Sequence, residues 1–148
     1  MKTAYGTYAM PMVPLEDALL MLAEIGYEGV ELAISARHNF MPDQIDPPRR
    51  KRLREMLAHL NLGVPALFVL GGVLTGDRMR HEENLRLIRQ VAELAEELGI
   101  GPDPVISMGV GGRSDEWMER REELLKLLEG YDILVGGYGF SSLSLIDS

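Results

Sequence analysis

The chain of 148 residues has no cysteine, so disulfides and thiolate metal sites are excluded. Basic residues are outnumbered, 15 Lys and Arg against 23 Asp and Glu, for a formal net charge of -8. A nucleic-acid partner wants a positive field, so that class is set aside. A local site for a small anion remains compatible with the average. Long apolar runs are missing too, which argues against a membrane span. At the N-terminus Pro11 and Pro14 interrupt the short apolar stretch after Lys2, and Glu16 and Asp17 follow at once. That is not the pattern of an export signal, and the expected location is the cytoplasm. What is present is 46% hydrophobic and 26% charged residues, the balance of a soluble globular domain.

Strand and helix signals alternate along the chain. Lys2 to Met10 reads as a strand, ended by Pro11. Pro14, Glu16 and Asp17 suit a helix start. Leu15, Ala18, Leu19 and Leu22 make its buried stripe, and Gly26 is its stop. A second strand is expected over Val30 to Ile34. Asp46 caps the next helix, with the stripe Leu53, Met56, Leu57 and Leu60, closed by Asn61 and Gly63. Val64 to Leu70 is a continuous apolar run, as in a strand buried on both faces. Gly71, Gly72 and Gly76 form a loop. The third helix follows on Leu85, Ile88, Ala92 and Ala95, ended by Gly99. Pro104 to Met108 is a fourth strand, and Ser114 caps a fourth helix on Trp117, Arg121, Leu124 and Leu128. Such alternation implies parallel strands joined by right-handed crossovers. An open doubly wound sheet and part of a (β/α)8 barrel both fit.

Three strings narrow the choice. They are Tyr8-Ala9-Met10-Pro11, then Ile25-Gly26-Tyr27-Glu28-Gly29-Val30-Glu31-Leu32, then Pro104 to Gly109 followed by Gly111-Gly112-Arg113. Their order and spacing resemble the xylose-isomerase-like TIM barrel superfamily, the sugar phosphate isomerases and epimerases. Gly26 would release the helix, Tyr27 would cover the sheet edge, and Glu31 would enter the barrel from strand two. The resemblance covers 1–131, about four βα units of a barrel that typically takes about 250 residues. It therefore implies the N-terminal half of an α/β barrel. Residues 132–148 form a divergent tail of Gly, Ser and scattered aliphatics, either a last edge strand with a flexible end or the family pattern cut off by a truncated gene or a shifted reading frame.

The resemblance implies a metal-dependent proton shift beside a sugar carbonyl, with a divalent ion such as Mn or Mg. In the family the ligands, Glu, Asp, His and Glu, sit on later strands. The expected fifth strand, Ile133-Leu134-Val135, runs into Gly136-Gly137-Tyr138 with no Glu, and no His follows His81. The metal site is therefore not expected in this chain, and the catalytic residues stay unassigned.

For the ligand, a small sugar or sugar phosphate, the candidates are Tyr8, Glu31, His38 and Trp117. A carboxylate in a buried strand is costly unless paired, so Glu31 is either a ligand group or half of a structural pair. Tyr8 and Trp117 offer rings to a sugar face, and simple packing competes at Trp117. His38 follows strand two, where barrel sites gather, yet equally suits a plain loop histidine. His59 and His81 are expected at the surface. Arg49, Arg50, Lys51, Arg52 and Arg54 open helix two, either to hold a phosphate or as a solvated face. Gly71-Gly72-Val73-Leu74-Thr75-Gly76 lacks the ending of a P-loop.

Three functions follow: an isomerase or epimerase-like protein without its metal half, a non-catalytic half-barrel that binds a small molecule or partner subunit, and a DNA-repair endonuclease of the same superfamily. The net charge disfavours the third. A half-barrel leaves open sheet edges and an uncovered inward face, for which Leu67, Val69 and Met108 are the expected residues. Two copies joined edge to edge would form a homodimer, and the tail folding back over one edge is the alternative.

Overall fold

The computed structural model describes residues 2–72, 75, 77–101, 105–109, 119–123, 125–127, 129 and, for the backbone, 143–146. Strands β1 (Ala4–Gly6), β2 (Gly29–Ile34), β3 (Ala66–Gly72) and β4 (Val105–Gly109) alternate with helices α1 (Leu15–Ile25), α2 (Pro47–His59) and α3 (Arg78–Glu97). The strands lie side by side in chain order and every pairing is parallel, as expected from the alternation. A further strand, β5 (Leu143–Ile146), pairs parallel with β4. It lies inside the tail segment, and β4 is therefore not an edge. The fifth strand expected at Ile133 to Val135 falls outside the described residues, as do Ser114, Leu124 and Leu128.

Local chemistry sets the helix ends. Gly26 closes α1 at φ 100°, and Gly99 follows α3 at φ 68°, both in the left-handed region that a Cβ disfavours. Asp46 caps α2 by accepting from the Arg49 amide at 2.8 Å, with Pro47 next in its first turn. Asp77 does the same for α3.

β1 is shorter than its sequence suggests. After Gly6 the chain turns into a single 3-10 turn, Thr7–Ala9. The buried Thr7 hydroxyl accepts from the Ala33 amide at 2.9 Å, and this tie carries the chain across the top of β2. β3 starts later than expected, after Pro65, which lacks an N–H, and its end takes in Gly71 and Gly72 as strand instead of loop.

Register shows which side of the sheet is the core. Leu32 pairs with Leu67 and Ile34 with Val69, while Val69 pairs with Met108. All five are essentially inaccessible and join Leu19, Leu22, Leu53, Ile88 and Leu94 from the helices in one cluster. Each such side chain contributes about 1.5–3 kcal/mol when buried. Leu67, Val69 and Met108 are therefore not the uncovered inward surface expected of them. The opposite face holds, by register, the alternate residues Gly6, Glu31, Ala33, Phe68 and Ser107, of which Gly6, Glu31 and Phe68 are partly exposed and Ala33 and Ser107 are buried. No helix among the described residues is long and apolar enough to cross a membrane.

Candidate functional site

The inner face meets solvent at the C-terminal ends of the strands, the end where barrel enzymes place their sites. Tyr8 stands there on the turn after β1, 53% exposed. Its ring meets the Phe68 ring edge-on, centroids 5.6 Å apart, and lies 6.1 Å from the His38 ring. Phe68 is the aromatic that sequence reasoning missed. It lies in an unbroken apolar run, where no alternation marks the inward side.

His38 sits on a 3-10 turn after β2, and both ring nitrogens are engaged. Nδ1 is 2.6 Å from the Ser35 hydroxyl, and Nε2 is 3.1 Å from the Tyr8 carbonyl oxygen. A carbonyl only accepts, so Nε2 carries the proton, and in the neutral ring Nδ1 accepts from Ser35. His38 thus ties the loop after β2 to the turn that carries Tyr8. The Ser35-x-x-His38 spacing was the available sequence signal, but Tyr8 is 30 residues away.

Glu31 lies on the same inner face, two residues below the level of Ala33, hence about 7 Å deeper along β2. Its Oε1 would stand 3.1 Å from a Cβ added at Gly6, so the carboxylate rests over bare backbone. Among the described residues no hydrogen bond or ion pair reaches it, and burial raises its carboxyl above the ordinary glutamate range. The Arg or backbone partner that a structural carboxylate requires is not found there. Trp117 lies outside the described residues.

The basic cluster is neither a phosphate cradle nor simply a solvated face. Arg49 holds Glu16 of α1 through two bonds of 2.8 and 3.1 Å and donates to the Asn39 carbonyl at 3.2 Å. Glu16 is held below the usual carboxylate range by its hydrogen bonds from Arg49. Arg50 donates to the carbonyls of Ile45 and Pro42 and to Glu97 on α3. These bonds hold Arg49 and Arg50 at a helix start, where the helix dipole disfavours positive charge. Lys51 pairs with Glu55, and Arg52 and Arg54 are exposed. His59 is exposed as expected, whereas His81 is half-buried.

A divalent ion, which the resemblance implies, needs several carboxylates or imidazoles converging on one point. Among the described residues no three His, Asp or Glu do so, and both nitrogens of His38 are taken. These residues do not fit a metal centre. They set one half-buried carboxylate, Glu31, below the aromatic corner of Tyr8 and Phe68. A cavity of about 300 Å³ lined by Lys2, Glu28, Arg54 and Asn61 lies at the opposite end of the strands. That end of a barrel serves stability more than chemistry.

Neither a protein-family model nor a curated protein matches the chain. Solved structures do. The IOLI protein "with a binding zinc atom" is similar at TM-score 0.73 and 16% identity, over 98% of this chain and 51% of its own. A xylose isomerase domain protein from Planctomyces limnophilus is similar at TM-score 0.65 and 14% identity, over 98% of this chain and 51% of its own. A D-psicose 3-epimerase solved in the presence of D-fructose is similar at TM-score 0.72 and 11% identity, over 95% of this chain and 50% of its own. At such identities the likeness is one of fold: the chain has the α/β fold of xylose isomerase-like TIM barrels and spans about half their length.

Proposed function

We propose that the chain is a sugar isomerase/epimerase-like protein whose inner face binds the polyol part of a sugar. One observation carries this reading: Glu31, a half-buried carboxylate on the inner face with no hydrogen-bond or ion-pair partner among the described residues, below the exposed ring of Tyr8. A carboxylate with raised proton affinity accepts from a sugar hydroxyl when ionised and donates to a carbonyl oxygen when protonated. Tyr8 and Phe68 give the apolar face of the sugar a surface. The fold likeness to an epimerase solved with D-fructose agrees with this ligand class. A sugar phosphate is less well supported, because Arg49 and Arg50 already spend their donors within the protein.

A second reading, a non-catalytic half-barrel that binds a small molecule, is favoured by a different fact. Among the described residues Glu31 is the single carboxylate of the inner face, whereas the shift of a proton beside a carbonyl takes an acid and a base. Calorimetric titration with D-fructose and fructose 6-phosphate tests the ligand class. Saturable binding of fructose, lost in Glu31→Gln and kept in the surface control Glu96→Gln, is expected. Equal binding by Glu31→Gln, or no binding of either sugar, would overturn the proposal. Aldose–ketose exchange assayed with manganese and magnesium present separates the two readings, since the binder gives no turnover.

A further inference from the structure

The two ends of the His38–Tyr8 bond are anchored very differently. Tyr8 stands exposed on a three-residue turn, and Met12, just beyond, is 90% exposed. Thr7 ties that turn to β2 at its base. The backbone of His38 is pinned on three sides. Its amide donates to the Ser35 carbonyl at 3.1 Å, and the amide of the core residue Phe40 donates to the same oxygen at 3.2 Å. Asn39, the next residue, takes the left-handed region at φ 48°, which Asn tolerates better than most side chains. Arg49 of α2 donates to its carbonyl. His38 is thus fixed to β2, the core and α2, and the Tyr8 turn is the looser partner.

The bond also depends on which ring nitrogen carries the proton, and a neutral imidazole has two choices. The hydrogen bond at one nitrogen decides the state of the other. The Ser35 hydroxyl, 2.6 Å from Nδ1, donates there and leaves the proton on Nε2, which faces the Tyr8 carbonyl at 3.1 Å. We propose that His38 is a positioning residue for Tyr8. Ser35 selects the Nε2–H tautomer, Nε2–H holds the Tyr8 carbonyl, and the Tyr8 ring is thereby kept against Phe68. His38 spends both nitrogens on the protein and is not itself a ligand contact. The consequence for binding rests on the sugar reading: the tie builds the aromatic wall above Glu31 before a ligand arrives, and a preformed wall costs less to order. The positioning itself needs no ligand. The His38 and Tyr8 rings also lie 6.1 Å apart, so ring packing is the competing cause.

Three substitutions separate the two causes. His38→Gln keeps a donor at the place of Nε2, His38→Asn stops one bond short of it, and His38→Phe keeps a ring without a donor. With 5 Tyr and 3 Phe the aromatic resonances of the full chain are few enough to assign. Nuclear Overhauser contacts between the Tyr8 and Phe68 rings should persist in the parent and in His38→Gln and vanish in His38→Asn and His38→Phe. Long-range 15N–1H correlation should show the Nε2–H tautomer in the parent and a mixture in Ser35→Ala. Fructose affinity should fall about 2–10-fold in His38→Asn and His38→Phe, the worth of one hydrogen bond, and hold in His38→Gln. A ring contact kept by His38→Phe and lost by His38→Gln overturns the proposal in favour of packing. So does a contact kept in all three variants, or an Nδ1–H tautomer in the parent. If the parent binds no fructose the sugar reading falls, while the ring contact and the tautomer still decide the positioning. If one variant unfolds, the others and the parent tautomer decide.

Discussion

Arg49→Met keeps the aliphatic stem and removes the guanidinium that joins α1, α2 and the loop of His38. Three bonds are lost, two to Glu16 at 2.8 and 3.1 Å and one to the Asn39 carbonyl at 3.2 Å. Hydrogen bonds to charged groups contribute about 1.5–3 kcal/mol each when buried, and exposed pairs under about 1 kcal/mol. Here the side chains are 23% and 37% exposed, so solvent screens much of the attraction. A loss of about 1–2 kcal/mol is expected, of which about 1 is coupling to Glu16. At this chain length that lowers Tm by about 2–8 °C. Urea unfolding of Arg49→Met, Glu16→Gln and the double variant measures the coupling. The pH dependence has a definite sign. Arg49 lowers the Glu16 pKa in the folded state, so the unfolded state binds the proton more tightly. The stabilisation is full above the unfolded value of about 4.3 and is lost as pH falls through the folded value. A coupling below about 0.3 kcal/mol, or one unchanged on acidification, would refute the bidentate account.

Glu31 should behave in the opposite sense. Burial raises its folded pKa, so its ionisation costs stability as pH rises from the unfolded value through the folded one. Glu31→Gln should therefore melt higher than the parent at neutral pH, with the gain gone below about pH 4; a lower melting point at pH 7 would reveal a partner for the carboxylate. Leu67→Ala should cost about 2–5 kcal/mol, and Phe68→Ala, on the half-open inner face, clearly less, by chemical denaturation; the reverse order would invert the assignment of the two faces. Titration of the single chain with manganese should show no tight site, whereas stoichiometric submicromolar binding would point first to Glu31 and His38.

Much of the scaffold is determined locally and is therefore legible in the sequence. The stripe Leu15, Ala18, Leu19 and Leu22 is buried as its spacing predicts. Asp46 caps its helix, and Gly26 takes the left-handed turn. Each is set within one or two turns of chain, and alternation of such elements leaves parallel crossovers as the economical arrangement. The candidate site is assembled across distance. Thr7 ends β1 early because its hydroxyl meets an amide 26 residues away, and Glu16 meets Arg49 across 33 residues. The inward face was illegible for another reason. A parallel strand with apolar residues on both sides shows no alternation, so Leu67 and Phe68 look equivalent until the helices cover one side of the sheet. The sequence by itself determined the elements and their order, because capping, left-handed turns and helical spacing are short-range. The tertiary structure decided which face is core, where Glu31 lies and what the arginines hold, because those depend on which side of the sheet the helices cover.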